Sequence, residues 1–192
     1  MNSAILSHYE YRDELINGKT VLMSPSPTTT HNYVGGNIYL QFRKFISSIK
    51  GSKCRCFTDN VDLFLDKMNR YIPDCMVVCD PDKIKYDGVH GAPDLVVEVL
   101  SPSTMKNDRN IKKDVYEKCG VKEYWIVNPT DKSIEQYYLE DGSFVLHDLY
   151  MIYPDCELER LNEEERAALV TEFKCSLSDE LTLKLDDIFE WV

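Results

Sequence analysis

The chain has 192 residues, 43% of them hydrophobic, which suits one substantial core better than two, so we expect a single domain over residues 1–192. Its formal net charge of −11 argues at first against a nucleic-acid partner, because phosphate binding depends on Lys and Arg. No stretch approaches the roughly 18 apolar residues of a membrane span and residues 1–9 lack a signal-peptide pattern, so we expect a cytoplasmic protein with no membrane partner.

The acidity is unevenly distributed along the chain. Residues 155–192 hold twelve acids and four bases, a net charge of −8, whereas residues 41–58 hold bases and no acid. From this basic run we take Lys50, Lys53 and Arg55 as candidate contacts to a nucleic-acid backbone. A solvated helix face is the alternative.

The seven cysteines form an odd set, and a domain of this size folds without disulfides, so we expect reduced thiols. Cys54-x-Cys56 and Cys75-x3-Cys79 lack the usual zinc-knuckle spacing, and ordinary buried thiols are the simpler interpretation.

The first half of the chain predicts a hairpin, a helix and three strands. Residues 15–23 contain an Asn-Gly turn and end at a Ser-Pro-Ser-Pro breaker over residues 24–27. A helix follows, capped by Thr29 or Thr30 and ended by Gly51. Its expected inward side chains are Tyr33, Ile38, Phe42, Phe45 and Ile49. Strands follow at residues 61–65, 74–79 and 95–100, of which the last two are apolar enough to be central.

The second half predicts a helix, an antiparallel meander and a charged C-terminal segment. The helix begins after residues 101–104 and ends at Gly120, with an inward stripe of Ile111, Val115 and Cys119. The remaining elements are strands at 123–128, 133–139 and 143–150, a charged helix at 157–173, an edge strand at 181–185 and a short terminal helix. The pattern predicts an α/β (α+β) fold.

Two acids interrupt stretches that are otherwise built for burial. Glu98 lies inside Leu95–Leu100, where an unpaired carboxylate costs several kcal/mol. Asp74 stands at the entrance of another apolar strand. If the strands are neighbours, both carboxylates can bind Mg²⁺ or Mn²⁺. The alternatives are a buried ion pair for Glu98 and a turn or cap role for Asp74.

A phosphodiesterase site also needs a cation. With Ile111, Val115 and Cys119 facing the sheet, Lys112 borders the buried face and can reach the carboxylates, while Lys113 points towards solvent. A solvated helix lysine is the alternative.

These segments together resemble a known family, the Uma-two restriction-endonuclease-like proteins of the PD-(D/E)xK nuclease superfamily. The similarity covers nearly the whole chain. It lies in residues 14–18, 71–78, 92–104, 108–116 and 120–129, with His31 and residues 181–189. It implies a central mixed sheet flanked by helices, with Asp74 and Glu98 as metal ligands.

In the parent motif a lysine follows the glutamate by two residues, and this chain has Leu100 there. The resemblance offers Lys112 as the relocated lysine, with Glu14, His31 and Asp108 as accessory candidates. We therefore expect a DNA endonuclease that uses Mg²⁺ or Mn²⁺, and a homodimer would allow it to cut both strands. The rivals are an inactive nucleic-acid-binding module of the same fold and a partner-interaction protein that uses the acidic C-terminal segment.

Overall fold

The computed structural model describes residues 12–23 and 27–192, so most of the predicted Ser-Pro-Ser-Pro breaker lies outside the described residues. The strands in chain order are β1 (Asp13–Ile16), β2 (Lys19–Leu22), β3 (Arg55–Thr58), β4 (Leu63–Phe64), β5 (Arg70–Tyr71), β6 (Cys75–Val78), β7 (Ile84–Lys85), β8 (Gly88–His90), β9 (Leu95–Val99), β10 (Glu123–Asn128), β11 (Ser133–Glu140), β12 (Ser143–Met151), β13 (Glu172–Cys175) and β14 (Ser178–Lys184). The helices are α1 (Thr29–Ser48), α2 (Met105–Asn107), α3 (Lys113–Cys119), α4 (Asp155–Leu158), α5 (Glu163–Ala167) and α6 (Leu185–Ile188).

The central sheet has six strands in the order β12-β11-β10-β9-β6-β3. Strands β9 and β10 run parallel, and the other neighbours are antiparallel. All five residues of β9 and all four of β6 are buried, because both faces of these strands are covered. The mixed α+β architecture and the antiparallel meander β10-β11-β12 predicted from the sequence are confirmed.

The two faces of the central sheet support separate cores. On one face, α1 and the C-terminal hairpin β13-β14 pack over residues that include Val97 and Trp125. On the other face, the second sheet and α3 pack over Val96 and Ile126. The alternation follows from the two-residue period of a strand, which sends neighbouring side chains to opposite faces.

A second six-stranded sheet has the order β2-β1-β5-β4-β8-β7. The predicted hairpin is confirmed: β1 and β2 are joined by Asn17 and Gly18, whose φ angles of 50° and 77° belong to the left-handed region that this turn requires. The sequence did not predict the short strands β7 and β8. This sheet places Glu14, a residue of β1, within 3.0 Å of Lys112 Nζ.

Helix α1 differs in detail from its prediction. Its N-cap is Thr28, whose hydroxyl accepts a hydrogen bond from His31 N, instead of Thr29 or Thr30. Tyr33 on the helix and Ile49 at its C-cap were expected to face inward, and both are exposed. Its buried side chains are those of Val34, Ile38, Phe42 and Ile46, with Gly35 also buried. The spacing of the true stripe is more regular than that of the predicted one.

The helical segment before Gly120 is also more complex than predicted. Between α2 and α3, residues Asp108–Lys112 form one π-helical turn. Ile111, expected to face inward, is exposed, whereas Val115 is buried. Gly120 ends the segment with φ 86°, as predicted for a helix C-terminus.

Two further expectations are wrong. Instead of a helix over residues 157–173, the structure has the short helices α4 and α5, followed by β13. The expectation that all cysteines are reduced is also incorrect, because Cys54 and Cys79 form a disulfide between the loop before β3 and the end of β6. Cys56 and Cys75 are buried free thiols, as expected. Within the described ranges, no helix is long and apolar enough to cross a membrane.

Candidate active site

The site is built where β6 and β9 meet. These strands are antiparallel neighbours, with Cys75 opposite Val97, and continuing that register places Asp74 opposite Glu98. Asp74 Oδ2 accepts a hydrogen bond of 2.7 Å from Val99 N, which fixes the carboxylate against the neighbouring strand. The sequence-based condition for convergence, that the two strands be neighbours, is therefore met.

Glu98 is one of three carboxylates around the ammonium of Lys112. The Lys112 Nζ atom lies 3.1 Å from Glu98 Oε1, 3.0 Å from Glu14 Oε1 and 3.4 Å from Asp108 Oδ1. Each of these side chains is almost fully buried, and that of Lys112 is only 3% exposed. Tyr116 also donates its hydroxyl to Glu98 Oε1, at 2.7 Å. Lys112 is thus enclosed by acids, whereas the sequence placed it at the border of the core.

The π-helical turn explains how Asp108 and Lys112 both reach the interior. The extra residue of such a turn changes the direction of the following side chains, and π turns are frequent at functional sites. Here the turn spans Asp108–Lys112, so its first and last residues are buried and Ile111 is left outside. Lys113, expected to extend into solvent, places its Nζ 3.7 Å from the centre of the Tyr137 ring.

Burial and like charges control the protonation of this cluster. Burial raises the pKa of Glu98 well above its ordinary value, and the neighbouring acids add to the rise, while Lys112 opposes it. Burial likewise raises the pKa of Asp108, against the influence of Lys112. Burial alone would lower the pKa of Lys112, but the charges of the surrounding carboxylates outweigh it and raise that pKa well above the usual value.

His31, in the first turn of α1, contacts the other acid of the site. Its Nε2 lies 3.3 Å from Asp74 Oδ2, and both side chains are largely buried. Burial would lower the pKa of His31, but the hydrogen bond and charge of Asp74 outweigh it, so the pKa is raised. The structure therefore brings together the six candidates Glu14, His31, Asp74, Glu98, Asp108 and Lys112.

The donor set fits a magnesium or manganese ion held by two carboxylates. Among residues 12–23 and 27–192, Asp74 Oδ1 and Glu98 Oε2 accept no hydrogen bond, which leaves one oxygen of each for an ion. The same residues contain no group of three His, Cys, Asp or Glu side chains arranged as a metal site. Mg²⁺ usually takes one or two carboxylates and completes its shell with water and substrate phosphate, so two ligands are sufficient.

A cavity of about 220 Å³ opens onto this cluster. Its lining includes Asp74, Glu98 and Lys112, together with Arg12 and Asp59, which the sequence analysis did not single out. Arg12 directly precedes β1 and lies two residues before Glu14, so strand periodicity sends both side chains to one face. That period-two relation is the sequence signal that could have identified Arg12.

The basic run is not part of this cluster. Lys50 and Lys53 follow the C-terminal end of α1, and His31 lies in its first turn, so the two ends are separated by roughly 26 Å at 1.5 Å per residue. Arg55 pairs with Val78, at the end of β6 remote from Asp74. The structure therefore does not bring Lys50, Lys53 and Arg55 to the carboxylates.

Comparison with known proteins relates the chain to a protein family, to a curated protein and to solved structures. A family model described as "Uma2: Putative restriction endonuclease" matches residues 4–178. An uncharacterized protein of Synechocystis sp. (strain ATCC 27184 / PCC 6803 / Kazusa) is 32% identical over 105 residues, which represent 53% of this chain and 55% of that protein, or about half of each. The crystal structure of "a putative nuclease belonging to DUF820" from Anabaena variabilis ATCC 29413 has a TM-score of 0.67 and 20% identity, covering 93% of this chain and 90% of that chain. This last match concerns the fold.

Proposed function

Because the chain belongs to the Uma2 family, described as putative restriction endonucleases, we propose that it is an endonuclease that hydrolyses DNA phosphodiester bonds with a divalent metal ion. Family and fold together indicate a restriction-endonuclease-like nuclease. The observation that carries the finer proposal is the position of Asp74 opposite Glu98 at the wall of an open cavity. Each has one oxygen that accepts no hydrogen bond from the part of the chain that the structure describes.

In this proposal Asp74 and Glu98 hold one Mg²⁺ or Mn²⁺. When bound, such an ion lowers the pKa of a coordinated water and neutralises phosphate charge. Val99 N and His31 orient Asp74 through Oδ2, and Lys112 and Tyr116 orient Glu98 through Oε1. Because these hydrogen bonds already fix both side chains, binding of an ion to the other oxygen of each carboxylate would cost little further conformational entropy.

The structure favours a positioning role for Lys112 over direct contact with the scissile phosphate. Its ammonium already has three carboxylate neighbours within 3.4 Å. To reach a phosphate it would have to leave buried acids unpaired, which is costly. Glu14 and Asp108 then serve as the partners that keep Lys112 charged and in place.

Metal-dependent cleavage of DNA tests the proposal. We expect the wild-type protein to cut DNA with Mg²⁺ or Mn²⁺ and to stop in EDTA, and we expect Glu98→Gln and Asp74→Asn each to lose about 10²–10³ in rate. Glu123→Gln is the control for substitution of a buried glutamate, because Glu123 lies in the adjacent strand β10 and does not line the cavity. It should lower stability, since Glu123 accepts hydrogen bonds from Trp125, Gln136 and Ser176, but it should keep the metal-dependent cleavage.

Thermal melts with and without Mn²⁺ supply a readout that does not depend on turnover. An ion that binds only the folded state raises the melting temperature, so the wild type and Glu123→Gln should respond while Glu98→Gln should not. An equal response in Glu98→Gln would remove Glu98 as a ligand. DNA binding that persists in EDTA without cleavage under any metal would favour the inactive binding module.

A homodimer belongs to the same proposal, because with one site per chain two copies can cut both strands of a duplex in one binding event. Sedimentation of the protein with and without DNA tests it, and a single copy per duplex that makes double-strand breaks would contradict it.

A further inference from the structure

The cavity at the site is short of available positive charge. Its acids are Asp59, Asp74 and Glu98, with Glu14 and Asp108 directly behind them around Lys112. Its bases are Arg12, Lys112 and His31, and His31 already contacts Asp74. A substrate phosphate that enters this cavity meets an excess of negative charge. A bound divalent ion offsets part of this excess, and a cation that can turn towards the phosphate would offset more.

Lys112 is poorly suited to this task, because it is enclosed by its three carboxylates and almost inaccessible. Arg12 is the other lysine or arginine among the described residues that line the cavity. Its side chain is 36% exposed, so a substrate can reach it.

The guanidinium of Arg12 has hydrogen-bond donors without acceptors among the described residues. Within residues 12–23 and 27–192, its one acidic neighbour is Asp59, at 3.5 Å from Nη1 to Oδ2, which is longer than an ordinary hydrogen bond. Its Nη2 is shielded from solvent and has no hydrogen-bond partner among the same residues. Shielded donors normally have partners, so this one lacks an acceptor that a phosphate oxygen entering beside the exposed part of the side chain would supply.

The backbone of Arg12 is held by hydrogen bonds, whereas its guanidinium has few hydrogen-bond partners among the described residues. Arg12 O accepts a hydrogen bond of 2.8 Å from Met23 N across the β1-β2 hairpin, and Glu14, two residues later, is fixed by Ile72 N. The guanidinium thus projects from a rigid strand end into the cavity. A planar guanidinium can donate two parallel hydrogen bonds to a phosphate.

We propose that Arg12 binds a non-bridging phosphate oxygen of the nucleic-acid strand in the cavity and that Asp59 orients its guanidinium. This inference rests on the proposed function, since it assigns the cation that the nuclease site would otherwise lack. Arg12 is then a substrate-binding residue and Asp59 a positioning residue.

The test compares Arg12→Gln, Arg12→Lys and the control Arg160→Gln, which removes an exposed arginine from the acidic segment after β12. Binding of a short fluorescein-labelled DNA duplex is measured in EDTA over a range of salt concentrations. Each phosphate contact contributes about 0.9 to the slope of log affinity against log salt, so Arg12→Gln should lower that slope by about 0.9. Arg12→Lys, which keeps the charge, and Arg160→Gln should retain the wild-type slope.

Cleavage kinetics in Mn²⁺ give the second readout. We expect kcat/KM to fall about 10²-fold in Arg12→Gln and less in Arg12→Lys, which loses the paired donors but keeps the charge. If Arg12→Gln is less stable, Arg12→Lys keeps the test valid, because a positive charge remains next to Asp59.

The two proposals fail in different ways. If the wild type binds and cuts DNA and Arg12→Gln has the same salt slope and the same kcat/KM, the role of Arg12 is overturned and the nuclease proposal stands. A wild type that neither binds nor cuts DNA would overturn the nuclease proposal, and the role of Arg12 with it.

Discussion

Replacement of Lys112 by alanine perturbs a buried group of four ionisable side chains. The change leaves Glu14, Glu98 and Asp108 buried around an empty position, where an ammonium had lain within 3.4 Å of each. Removing one partner of a buried ion pair typically costs about 3–5 kcal/mol. At roughly 2–4 °C per kcal/mol for a protein of this size, we expect the melting temperature to fall by about 6–20 °C.

The loss should depend on pH. Burial raises the pKa of Glu98 and of Asp108, so each binds its proton more tightly in the folded state than in the unfolded state. As pH rises above the ordinary carboxyl values, the unfolded state gains more from ionisation and stability decreases. Lys112→Ala removes the charge that limits this effect, so its deficit should be larger near about pH 8 than near about pH 5.

Denaturant unfolding of Lys112→Ala and Lys113→Ala at the two pH values measures the difference. Lys113 Nζ lies over the Tyr137 ring, and loss of such a cation–π contact costs about 0.5–1 kcal/mol. The double variant Lys112→Ala/Glu98→Gln should recover part of the lost stability, since it removes one uncompensated acid. Equal stabilities of Lys112→Ala and Lys113→Ala at both pH values would refute the reasoning.

Two more predictions concern regions outside the carboxylate cluster. Gln136 Nε2 donates to Glu123 Oε1 at 2.6 Å and to Lys174 O at 2.8 Å. Gln136→Ala should therefore lower the free energy of unfolding by about 1–3 kcal/mol and speed amide hydrogen exchange in β13. Unchanged exchange in β13 would contradict this. Lys50 and Lys53 follow the C-terminal end of α1, roughly 26 Å from His31, so the double variant Lys50→Gln/Lys53→Gln should weaken binding only for duplexes that extend about 8 base pairs or more to that side. Equal losses on short and long duplexes would contradict the placement of Lys50 and Lys53.

Much of the central sheet could be predicted because its signals are local. Runs such as Leu95–Leu100 are too apolar to be exposed, and the Asn17-Gly18 turn specifies a hairpin by its backbone conformation alone. The sequence did not predict the pairing of β6 with β9; the convergence of Asp74 and Glu98 was expected only if these strands were neighbours. Its register, and hence the position of Asp74 opposite Glu98, depends on contacts between distant segments.

The incorrect details have a common physical origin. The inward stripe through Ile111 assumed a regular α-helix, and one π turn is enough to expose that side chain and bury Asp108 and Lys112. The ion pairs that the turn permits, from Lys112 to Glu14 and Glu98, join segments that are distant in the sequence, so a local helical pattern does not reveal them. The predicted helix over 157–173 failed similarly, since residues 172–175 gain more from pairing with β14 than from continuing a helix.

The charge of the chain, which at first argued against a nucleic-acid partner, acquires a different meaning at the site. Asp74, Glu98 and their neighbours concentrate negative charge where a phosphate would enter, and this charge weakens the binding of a polyanion at the cavity. A divalent ion bound there, as proposed, would offset part of that charge, so DNA affinity and metal affinity should increase together. A net charge of −11 is therefore compatible with a nuclease whose positive charge is supplied at the site by a bound ion and Arg12 instead of by a basic surface.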